Sequence, residues 1–75
     1  MSNLVRGLTA ELLRVKQIYN QYIKCADMYT GTQNTVILLT ADMIKQTIDT
    51  ALRAQDMGDV VQMIRSIREL QEIKG

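Results

Sequence analysis

The sequence contains no proline, histidine, tryptophan or phenylalanine, and only one cysteine. Each absence excludes something. A lone Cys cannot form an internal disulfide, so a stapled secreted mini-protein is ruled out. With no His and a single thiol, the chain lacks the usual ligand set for zinc, and neither a metal site nor a cofactor is expected. No unbroken aliphatic run exceeds Val36–Leu39, far short of a membrane span, and no signal-peptide core opens the chain. Neither sign of charge dominates: nine Lys and Arg stand against eight Asp and Glu. A nonspecific nucleic-acid binder normally carries a marked basic excess.

What is present is hydrophobic content. Apolar residues make up 47 % of 75 residues, so the chain is expected to fold as a single helical domain over 1–75. A domain this short buries only about 60 % of the surface its unfolded chain exposes. Small scaffolds usually need a disulfide, a metal or a partner subunit. With the first two excluded, oligomerisation is the natural expectation.

Glycine punctuates the chain at 31 and 58, and apolar periodicity between these points predicts three helices, about 3–29, 35–55 and 59–73. In the first, Leu8, Leu12, Val15, Tyr19, Tyr22, Ala26 and Tyr29 recur in steps of four and three, a coiled-coil-like seam widened by Val5, Ile18, Ile23 and Cys25. Ser2 or Asn3 can cap its start, with Thr9 as a later alternative. Gly7 costs about 1 kcal/mol relative to Ala if helical. In the second, Ile37, Ala41, Ile44, Ile48 and Ala51 form the apolar face, with Leu52 beside them. Asp42, Lys45, Asp49, Arg53 and Asp56 form an ion-pair ladder opposite. Residues 35–39 could instead be extended, but a lone strand would have nothing to pair with. In the third, Asp59 and Gln62 have capping-box spacing, and Gly58 can close the preceding helix in a left-handed conformation. Val60, Ile64, Ile67 and Leu70 form its predicted face, flanked by Met63 and Ile73. Arg65–Glu69 and Arg68–Glu72 are candidate ion pairs outside.

The fold class is therefore all-α, a helical hairpin or three-helix bundle, completed by oligomerisation. The first helix is expected to be longer than its neighbours can cover, and an uncovered apolar stripe marks an interface. Leu8, Leu12, Val15, Tyr19 and Tyr22 are the expected interface residues of a homodimer or higher oligomer. The function this suggests is binding another protein, as a small cytoplasmic regulator, adaptor, inhibitor or chaperone.

Few residues carry chemistry. Cys25 has no His to serve as its base, and Lys24 lies on an adjacent spoke of the helix, so the thiol reads as a small hydrophobe of a reducing compartment. Carboxylate pairs, nucleophile elbows and dinucleotide loops are missing, so no enzyme is expected. Thr30–Thr35 precedes a helix N-terminus, where free amides and hydroxyls can hold an anion. Tyr22, Lys24, Thr30, Thr32 and Asn34 are thus candidate ligands for a small anionic molecule such as a nucleotide, in a second reading of the chain as a sequestering protein. A third reading places Arg65 and Arg68 in a DNA groove, opposed by Glu69 and Glu72. The five methionines suit either core filling or an adaptable binding surface.

Overall fold

The computed structural model describes residues 3–74. Three helices, α1 (Asn3–Ala26), α2 (Gly31–Met57) and α3 (Val60–Glu72), run up, down and up around a shared core. Residues 35–39 are helical. Ser2, one of the two proposed caps of α1, lies outside the described residues.

The α1–α2 turn falls earlier than the sequence periodicity predicts. α1 stops at Ala26, three residues short of Tyr29, and α2 starts at Gly31, four residues before Thr35. The turn-like composition of 30–35 misled because its polar side chains bond to backbone from within and beside helices. Asn34 Nδ2 donates to the Ala26 carbonyl at 2.7 Å, satisfying an end group of α1, and Thr35 Oγ1 donates to Gly31 O at 3.3 Å. Gly31 has φ of 66°, so the reversal uses a backbone conformation that glycine adopts at little cost.

The second turn follows its sequence signals. Gly58 is left-handed, and the amides of Gly58 and Asp59 donate to Gln55 O and Ala54 O in a Schellman pattern. Asp59 Oδ1 accepts from Gln62 N at 3.1 Å and starts α3. Gln62 does not return the bond as a full capping box would. Its side chain donates to Ser66 Oγ.

Leu8, Leu12, Val15 and Ile18 of α1 meet Ile44, Ile48, Ala51 and Ala54 of α2 and Met63 and Leu70 of α3 in the core. α3 turns a different side inward from the one predicted. Met63, Ser66 and Leu70 are buried and Ile67 is half-buried, whereas Val60 and Ile64 are exposed. α3 approaches the N-terminal half of α1 with Ile67 near Gly7, and this places Ser66 inside and Val60 and Ile64 outside. Leu52, expected beside the α2 face, is exposed as well.

The charged ladder of α2 is exposed as predicted, but its members do not close into ion pairs, and neither do Arg65–Glu69 and Arg68–Glu72. Among the described residues the ion pair that forms is Arg14–Glu11, at 2.8 Å. Arg14 also reaches across to α3. Its Nη1 donates to Ile73 O at 2.9 Å and its Nη2 to Leu70 O at 2.8 Å. A cation thus satisfies carbonyls at the negative end of the α3 dipole.

Candidate interaction face

Helix lengths leave part of the hairpin uncovered. α2 has 27 residues and α3 only 13, so α3 spans about half of the hairpin at 1.5 Å per residue. The molecule is a rod of 46 × 18 × 16 Å. Arg14 marks where α3 ends along α1, because it bonds the last turn of α3. Beyond that point α1 and α2 continue as a bare pair, closed against each other by the buried small residues Ala26 and Ala41.

The side of this pair that faces α3 lower down remains apolar above it. On α1, Gln21 and Cys25 lie about two and three turns beyond Arg14 on the same side. On α2, Val36, Thr40, Met43 and Thr47 stand on the side of buried Ala54, in steps of four, three, four and seven. Val36 is 55 % exposed, Met43 69 % and neighbouring Leu39 61 %, while Ile37, Thr40, Tyr22 and Cys25 are half-buried. Two open depressions pit this face. One, of about 220 Å³, is lined by Gln21, Tyr22, Cys25 and Ile37. The other, of about 340 Å³, lies at the hairpin tip among Tyr29, Thr32, Gln33, Val36 and Ile37.

The threonines on α2 make the face greasier than its sequence suggests. Thr40 Oγ1 donates to Val36 O at 3.0 Å and Thr47 Oγ1 to Met43 O at 3.1 Å. Each hydroxyl proton is used within the helix.

A second groove lies on the opposite side of the hairpin, about 260 Å³ among Thr9, Leu12, Leu13, Lys16, Ile48, Leu52 and Gln55. It differs in carrying a charge at its rim.

The expected interface seam fares unevenly. Leu8, Leu12 and Val15 are 0, 8 and 0 % exposed within one chain, so they belong to the core of the monomer and are not a free surface. The sequence periodicity found a real stripe, but α2 and α3 together cover its first half. Tyr19 and Tyr22 are half-buried at the edge of the core, and of these Tyr22 lines the uncovered face.

The expected anion site is not assembled as one cluster. Asn34 is engaged with the α1 carbonyl end, and Thr30, the N-cap residue of α2, makes no side-chain capping bond. Lys24 is exposed, Thr32 lines the tip depression and Tyr22 the neighbouring one. Arg65 and Arg68 are exposed on α3, with Glu69 and Glu72 exposed beside them. Among the described residues no group of three or more His, Cys, Asp or Glu could hold a metal, and no helix is long and apolar enough to cross a membrane.

Sequence periodicity alone passed over Val36, Thr40 and Met43. The signal was available as a second stripe in α2, offset from the Ile37–Ala41–Ile44–Ile48 stripe and disguised by threonines. Arg14 left no such trace, since its acceptors are 56 and 59 residues away. Compared with known proteins, the chain matches no family model, no curated protein and no solved structure.

Proposed function

We propose that this chain is a binding module that self-associates through the half of the hairpin that α3 leaves uncovered, and that acts on another protein. The observation that carries this reading is the continuation of the α3 seat beyond α3, with Val36, Met43 and Leu39 left in water. Val36, Leu39 and Met43 stand together along α2, one of several exposed apolar groups that include Val60, Val61 and Ile64 on α3, and such patches mark interaction surfaces. The lining also favours binding over catalysis. It is made of aliphatic, amide and hydroxyl groups, and Cys25 sits among Gln21, Tyr22 and Ile37, without a charged neighbour in that depression to activate the thiol. A free, half-buried thiol is compatible with a reducing compartment such as the cytoplasm.

Sedimentation equilibrium over a range from low to high micromolar tests the self-association. The expected result is a weight-average mass that rises above 8.5 kDa with concentration. A folded monomer throughout the range overturns it. The anionic-ligand alternative has less behind it, since Asn34 is committed to the α1 end and the tip depression is mainly apolar. A thermal-shift panel of nucleotides that leaves the melting temperature unchanged removes that alternative.

A further inference from the structure

Resting on the self-association proposed above, we infer that the uncovered half of the α3 seat is closed by the same half of a second copy. The two hairpins pack face to face about a two-fold axis, giving a four-helix core in the middle of the dimer and an α3 helix at each end.

Charge permits a second copy here and disfavours a strongly charged partner. Charged residues are 23 % of the chain, yet Gln21, Tyr22, Cys25, Val36, Ile37 and Thr40 place no Lys, Arg, Asp or Glu on the strip. Of the charges beyond Arg14, Lys16 lines the opposite groove, Asp42 and Lys45 fall on the far side of α2, and exposed Lys24, next to Cys25, lines neither depression of the strip. An isologous interface sets each patch against its own image, so any charge on it would meet a like charge. A neutral strip avoids that penalty, whereas a strongly charged partner would find nothing here to pair with. Shape agrees. The vacant part of the seat continues the packing surface already used by α3, so it is built to receive helices, and each copy supplies two. The face is about 20 Å long and two helices wide, a footprint of roughly 400 Å². That is about half the roughly 800 Å² per partner of a standard stable complex, which places this contact in the weak, transient class.

Three proteins decide it: the unaltered chain, Val36→Lys on the strip and Leu13→Lys at the opposite groove. Both substituted residues are more than half exposed, so the core is left intact, and circular dichroism checks this. Sedimentation equilibrium should show the dimer dissociation constant raised at least tenfold by V36K and unchanged within about twofold by L13K. On the unaltered chain, Cys25 serves as a reporter. Its rate of reaction with an aromatic disulfide reagent should fall as protein concentration rises through the association range. This readout also decides the matter if V36K loses helicity. A chain that associates with a Cys25 rate independent of concentration, or one dissociated by L13K and not by V36K, overturns this interface and leaves self-association standing. A chain that never associates overturns both.

Discussion

Arg14 contributes most where least is visible in sequence. Its guanidinium holds Glu11 with Nε and two α3 carbonyls with Nη1 and Nη2, joining the first helix to the last turn of the third. Its side chain is 41 % exposed, so water can partly replace these bonds, and the charge-assisted values of about 1.5–3 kcal/mol are an upper bound. Arg14→Met keeps much of the stem and removes all three. It is expected to lower unfolding free energy by about 1–2 kcal/mol in urea titration, with faster amide exchange in α3 than in α2. Equal acceleration across all three helices would show that Arg14 does not latch α3 locally. Ser66 poses the opposite problem, a fully buried hydroxyl accepting from Gln62 at 3.2 Å. Ser66→Val leaves Gln62 without that acceptor and adds volume where the interior is closed, so a loss of about 1–3 kcal/mol is expected in the same titration.

At the scale of elements, the glycines separate two kinds of position. Gly7 is inside α1, and a Cβ there would meet Ile67 Cδ1 at 4.0 Å, an ordinary contact. Gly7→Ala is therefore expected to stabilise the fold by about 1 kcal/mol, through helix propensity and a less flexible unfolded chain. Gly58 has open space around it but a φ of 67°. Gly58→Ala is expected to cost about 1 kcal/mol, because strain in the left-handed turn outweighs the absence of any clash. Thermal melts of the two variants should move in opposite directions from the parent. Both glycines were legible as sequence features, and the Gly58–Asp59 boundary was placed within two residues because its signals are local. The α1–α2 turn was not, since Asn34 bonds back across the turn to the Ala26 carbonyl and Thr35 bonds Gly31 from inside α2, so polar residues that resemble a loop belong to the helix.

For the whole molecule, the half-covered hairpin links stability to concentration. If the native chain associates and the unfolded chain does not, mass action stabilises the native state. Raising the concentration from below the dissociation constant to several times above it adds about 1 kcal/mol. For a domain of this size that corresponds to about 4–8 °C in melting temperature. Differential scanning calorimetry at graded concentrations measures this directly, and a constant melting temperature across the range would contradict association of the folded chain.

The sequence alone determined that the chain is helical, where its second turn lies and which side of α2 meets α1, because apolar periodicity, glycine and capping residues act over one or two turns of backbone. It also implied that apolar surface would exceed what three short helices can hide. Only the tertiary structure decided where that excess lies. Burial is a property of pairs of helices, and the register of α3 against α1, where Arg14 bonds the Leu70 and Ile73 carbonyls, is set by contacts between residues far apart in the chain. That register encloses Leu8, Leu12 and Val15 and leaves Val36 and Met43 in water.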